Sequence, residues 1–178
     1  MSLSTEQELE LIKKCIDGVS SAQTQLYQLY SPKLFAICCR YASSDDQAKD
    51  MFQDSFIRIF QKLPDFRFEG SFEGWMKRIT VNQCLDTLRK DKSKLFDDLE
   101  ANESVELQFN TATDQLQTQD LLKLLSKLPL GYKTVFNLYA IEGFTHNEIA
   151  SALGISESTS KTQLFKARKW LQQRLMNE

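Results

Sequence analysis

Between Thr145 and Arg174 the chain reads THNEIASALGISESTSKTQLFKARKWLQQR. Ser158, Thr162, Phe165, Lys166, Lys169 and Gln173 recur there at the helical period. Hydroxyl, amide and ammonium groups on one stripe suit hydrogen bonding to base edges and phosphates. Leu164, Ala167, Leu171 and Leu175 fall on the opposite side, as a packing face. Upstream, Thr145 and Glu148 have capping-box spacing, and Ile149, Ala152 and Leu153 make a second apolar face. Gly154 supplies a left-handed helix end, and Ser156 caps the helix that follows. The pattern predicts a helix-turn-helix whose second helix offers its polar stripe to the DNA major groove. A helical hairpin with a solvated basic face has the same pattern, so this stretch alone leaves both readings open.

Three further groups have types and spacing that suit recognition. The stretch LPDFRFEGS, 63–71, breaks helicity and holds Phe66, Arg67 and Phe68. Aromatic and cationic side chains on a loop can take an unstacked base, or pack back as loop anchors. On the next helix Trp75, Arg78, Asn82 and Arg89 share a flank that suits a nucleic-acid surface, although Trp75 also suits a core. On the preceding helix Asp50, Asp54, Ile57 and Gln61 form an outer stripe, flanked by Gln53 and Arg58. An isoleucine within an acidic and polar stripe is a candidate protein contact, and exposed apolar residues are also common without any role.

Catalytic and metal chemistry find no footing. Cys15, Cys38, Cys39 and Cys84 include no CxxC pair, and the one histidine, His146, has no cysteine near it in sequence. We therefore expect buried reduced thiols, no catalytic residue, no metal and no cofactor. No apolar run approaches the roughly 18 residues of a membrane span. The first residues, MSLSTEQELELIKK, are polar and acidic, which predicts neither a leader peptide nor membrane insertion, and hence a cytoplasmic protein.

The net charge of −2 is unevenly placed. Residues 1–90 carry 12 basic and 12 acidic side chains, 91–127 carry 4 and 8, and 128–178 carry 6 and 4. Positive excess thus sits with the helix-turn-helix and negative excess in the middle. Phosphate neutralisation supplies most non-specific affinity, so such a chain is expected to bind duplex DNA weakly by itself.

Helices must position these groups. Periodicity predicts helix over 5–30 with a break at Gly18, and Leu9, Ile12, Ile16, Leu26, Leu29 and Tyr30 as core. Pro32 suits a new first turn. Ser44 is placed to cap a helix over about 46–62, with Ala48, Phe52, Ser55, Phe56, Ile59 and Leu63 inward. From Phe72 to about Lys90 the apolar face changes side, so that helix must be packed from two directions. The residues 91–118 lose periodicity and gain Asp, Glu, Asn, Ser, Thr and Gln, as a linker does. Helical pattern returns from Asp120, then over about 132–142 with Val135, Phe136, Leu138 and Tyr139. The expected fold is all-α, with two small helical domains, 1–92 and 119–178, joined by a flexible acidic linker, 93–118.

Two segments in this order carry a resemblance. AKDMFQDSFIRIFQKLPDFRFEGSFEGWMKRITVNQCLDTLRK and LPLGYKTVFNLYAIEGFTHNEIASALGISESTSKTQLFKARKWLQ resemble the two conserved domains of bacterial sigma factors of the extracytoplasmic-function (ECF) group. The resemblance implies no enzyme but a subunit that binds core RNA polymerase and directs transcription from promoter DNA. It implies that Asp50, Gln53, Asp54, Ile57, Arg58 and Gln61 dock on polymerase. The loop with Phe66, Arg67 and Phe68 would capture a flipped base of the −10 element, with Trp75, Arg78, Asn82 and Arg89 along the melted strand. The −35 element would be read through Ser158, Thr159, Lys161, Thr162, Phe165 and Lys166, with Arg168 and Lys169 near phosphates. Ser160 and Gln163 depart from the apolar residue and the arginine common at those places, which would loosen inner packing and remove a charge from the flank. Members of the group are often held by an anti-sigma factor. The alternative is a free-standing helix-turn-helix regulator, which would bind as a dimer and gives no account of the stripe 50–61 or the aromatic loop.

Overall fold

The computed structural model describes residues 5–90, 124–125 and 127–175, and every regular element among them is helical. Helix α1 spans Thr5–Ile16, α2 Ser20–Tyr41, α3 Asp45–Lys62 and α4 Phe72–Lys90. After the linker region come α5, Leu130–Phe136, a π-helical extension, Asn137–Ile141, then α6, His146–Leu153, and α7, Glu157–Leu175. The expected linker, 93–118, and most of the helix expected from Asp120 lie outside the described residues.

Local signals place most boundaries. Gly18, at φ 78°, turns the chain between α1 and α2. Ser44 caps α3 by accepting from the Gln47 N–H at 3.2 Å. Pro32 does not begin a helix, as expected from its sequence; it lies inside α2. The packing of Leu26, Tyr30, Leu34 and Ile37 on one face carries α2 through the missing N–H. Leu9, Ile16 and Tyr139, counted as core from periodicity, are each more than a third exposed. They sit at the edges of short amphipathic helices, where an apolar stripe is wider than the surface that covers it.

The N-terminal helices pack around Leu26, Leu34, Met51, Ile59, Met76 and Leu88. Each such side chain contributes roughly 1.5–3 kcal/mol when buried. All four cysteines are buried free thiols, and burial pushes the Cys39 thiol up to about 11. A second cluster, Leu125, Leu128, Ala167 and Leu171 with Tyr132 and Trp170 against it, holds α7.

The two helical groups are not separate. Val135, Leu138, Ile149, Leu153 and Leu164 belong to the same apolar cluster as the N-terminal core. Helix α5 packs on α2, and α6 packs on α4. This accounts for the face change in α4: Met76 and Leu88 are buried at its two ends, with α2, α3 and α6 all against it.

Polar contacts fasten that junction. Lys133 donates from Nζ to the Ala42 carbonyl at 2.8 Å, and Asn137 from Nδ2 to the Arg40 carbonyl at 2.9 Å. Arg40 pairs with Glu142 at 2.6 Å. Burial lowers the Lys133 pKa from the usual lysine value to about 8. The folded chain therefore holds fewer protons on this group than the unfolded chain between about pH 8 and pH 10.5. Folding stability should rise with pH across that window and lose the contribution below it, where the buried amine must be charged. Between pH 8 and 9 the gain should be about 1 kcal/mol, and Lys133→Met should abolish it, read by urea unfolding at each pH.

Candidate polymerase and nucleic-acid interfaces

The helix-turn-helix forms as its sequence dictates. The Thr145 hydroxyl accepts from the Glu148 N–H at 3.3 Å, while the Glu148 carboxylate accepts from the Thr145 N–H at 2.8 Å. Those bonds, the backbone one first, hold the Glu148 carboxyl below its ordinary pKa. Gly154 closes α6 at φ 66°, and the Ser156 hydroxyl accepts from the Thr159 N–H at 3.0 Å to open α7. On α7, Leu164, Ala167 and Leu171 face inward. Ser158, Lys161, Thr162, Phe165, Lys166, Arg168 and Lys169 are exposed, and Thr159 is half-buried. Phe165 stands out at 66% exposure, which is unusual for a side chain of its size.

Ser160 and Gln163 turn out differently from their expected effects. Ser160 is fully buried, but its hydroxyl bonds to His146 Nδ1 at 2.9 Å, so the polar atom is satisfied and ties α7 to α6. Gln163 is also buried, so it lies beneath the recognition face instead of on its flank. His146 in turn stacks on Tyr139 at 4.7 Å, and the Arg168 guanidinium lies 5.7 Å from the Tyr139 ring centre. The single histidine thus braces the motif; its position in the first turn of α6 was legible, and its partner, Ser160, was not.

Helix α3 carries the acidic stripe to solvent. Asp50, Gln53, Asp54, Ile57 and Gln61 are exposed and Arg58 is half-buried. Ile57 is 55% exposed beside them. The stripe is braced from α4: Gln83 donates to Asp54 at 3.0 Å, and Asp86 accepts from Arg58 at 2.6 Å. Burial would raise the Asp86 pKa, and the guanidiniums of Arg58 and Arg89 more than offset it. Arg89 is paired with Asp86, so it lies with Arg58 at the end of the α3 stripe.

The loop between α3 and α4 divides its aromatics. Phe66 is buried, with ring centres 5.1 Å from both Phe72 and Trp75. It is an anchor, which corrects its placement among base-contacting residues: a side chain held by two rings inside the fold has no face left for a base. Phe68 is 45% exposed and sits at φ 57°, a left-handed conformation that is uncommon for a bulky residue. Arg67 is exposed beside it. Along α4, Trp75 is half-buried against Phe66 and Phe72, whereas Arg78 and Asn82 are exposed. Among the described residues no helix is long and apolar enough to cross a membrane.

Residues 26–94 match the family model Sigma-70 region 2, and residues 118–171 match Sigma-70, region 4. The chain is 26% identical to the ECF RNA polymerase sigma factor SigW of Bacillus subtilis (strain 168), over 98% of each chain. It is 29% identical to the RNA polymerase sigma factor SigV of the same organism, over 81% of this chain and 85% of that one. A solved structure of the sigma factor RpoE from Bartonella quintana, in complex with the anti-sigma factor NepR, shares the fold. It matches at a TM-score of 0.53 and 24% identity, over 86% of this chain and 96% of that one. Two sigma-70 regions in one chain, in that order and on an all-α fold, show that it belongs to the sigma-70 family, among the ECF RNA polymerase sigma factors.

Proposed function

We propose that this promoter-recognising sigma factor divides its work among three faces. Asp50, Gln53, Asp54, Ile57, Arg58 and Gln61 dock on core RNA polymerase. Phe68 and Arg67 capture an unstacked −10 base, with Arg78 and Asn82 along the separated strand. Ser158, Lys161, Thr162, Phe165 and Lys166 read the −35 duplex, with Arg168 and Lys169 toward phosphates. The observation that supports this reading is the outward Ile57 of α3, seated among carboxylates and amides that α4 holds in place. A hydrophobic residue ringed by oriented polar groups suits a protein partner.

No catalytic step is part of this function. The chain lowers the cost of strand separation by binding bases once they leave the stack. Domains over 1–92 and 119–178 with a joining segment over 93–118 fit these tasks, and a cytoplasmic location follows from work on polymerase. An anti-sigma factor is a further partner class, since RpoE of B. quintana was captured with one.

Run-off transcription with purified core enzyme on a promoter library tests the whole reading. The wild-type chain should produce specific starts. Ile57→Glu should lose them together with core binding while its unfolding free energy stays within about 0.5 kcal/mol of the parent. Absence of any specific start from the wild-type chain would sink it.

The two loop aromatics should separate cleanly. Phe66→Ala should cost about 3–5 kcal/mol of stability through the cavity it leaves. Phe68→Ala should change stability by less than about 1 kcal/mol. It should nonetheless reduce promoter opening, measured by permanganate reactivity of −10 thymines. Equal opening by Phe68→Ala and wild type would remove Phe68 from base capture.

A further inference from the structure

Helix α6 does more than support α7. Its Glu148, with Glu142 from the segment before it, lines a cleft of ≈ 410 Å³ whose other wall is Lys77 and Arg78 of α4. Arg78 is exposed and adds to the forces that keep Glu148 ionised. Two carboxylates thus face the cations of the surface assigned above to the separated strand, where phosphates would have to lie.

A length argument points the same way. Elements named for positions −35 and −10 are roughly 25 base pairs apart, or roughly 85 Å of duplex at 3.4 Å per step. A compact chain of this length has a radius of gyration of about 16 Å. With α5 packed on α2 and α6 on α4, the recognition helix and the Phe68 loop cannot reach both elements at once.

We propose that the docked arrangement is an autoinhibited state, in which Glu142 and Glu148 take the place of DNA phosphates over Lys77 and Arg78. It rests on the reading of α4 as a nucleic-acid surface. Its latch is the Arg40–Glu142 pair with the Asn137 and Lys133 bonds to the end of α2. The latch is built to release. Tyr41, Thr134 and Asn137 each bury an oxygen that finds no protein hydrogen-bond partner, and Arg40 buries its Nε in the same way. Opening lets these groups reach water, which offsets part of the penalty of exposing apolar surface at the junction.

Arg40→Ala tests this with a sign that simple electrostatics cannot mimic. Removing a cation should weaken binding of single-stranded DNA if charge alone acts, and strengthen it if the latch opens. The probe is a fluorescein-labelled 20-nucleotide oligodeoxythymidylate, read by anisotropy at low salt, with small-angle scattering of the free full-length chain alongside. Arg40→Ala and the charge-neutral Asn137→Ala should each enlarge the radius of gyration and tighten oligonucleotide binding at least fivefold. Adding Arg78→Ala should remove the gain. Unchanged dimensions, or affinity that falls or stays level in an opened chain, overturns the proposal; so does failure of every variant to bind the oligonucleotide. Specific starts in run-off transcription alongside any of these results would leave the functional reading standing and the autoinhibition refuted.

Discussion

The end of α2 is the constraint on which the arrangement of the chain depends. A helix terminates with backbone carbonyls that have no partner of their own. Here the Arg40 and Ala42 carbonyls are met by Asn137 and Lys133, more than ninety positions away in sequence. A cationic donor suits the negative end of a helix, and its burial keeps water from competing for the same oxygen. Around this point the apolar core runs without interruption from the N-terminal helices into Val135, Leu138, Ile149 and Leu153. The placement of α6 over α4, and so of the acidic cleft wall over Arg78, follows from where α5 is fastened.

The outward surfaces divide by chemistry. On α3 the stripe is acidic and amide-rich around one isoleucine, and α4 orients it through Gln83 and Asp86. On α7 the exposed groups are hydroxyl, aromatic and cationic, and α6 orients them through the His146–Ser160 bond. In both cases a second helix fixes the side chains that meet a partner, which limits the entropy lost on binding. Between them, Phe68 is held in a left-handed backbone conformation at the tip of a loop anchored by Phe66. Strain at a presented side chain is a common mark of a working position.

What the sequence made legible followed periodicity and caps. The Ser44 and Thr145 caps, the Gly154 turn, the inward face of α7 and the outer stripe of α3 all lie where local pattern put them. Local pattern failed where tertiary packing decides. Nothing in 63–71 tells Phe66 from Phe68, because both flank one arginine in a segment without period. Ser160 and Gln163 read as departures because their partners or their depth depend on α6 packing beneath α7. Lys133 and Asn137 did leave a signal: two polar residues four apart beside Val135 and Leu138, which a helix places on one side. Their partners, on α2, were beyond any sequence-local reasoning, and with them the docking of the two helical groups.

That docking, and its release on polymerase, is the central claim, and a distance measurement reaches it directly. The four native cysteines are buried, so spin labels at Thr24→Cys and Gln172→Cys, both exposed positions outside the proposed interfaces, can be attached selectively. Pulsed dipolar spectroscopy of the free chain should give one narrow, short distance. Addition of core RNA polymerase and promoter DNA should replace it with a distance longer by tens of ångströms, as gripping elements roughly 85 Å apart requires. An unchanged short distance in the transcribing complex, or a broad distribution in the free chain, would contradict the account.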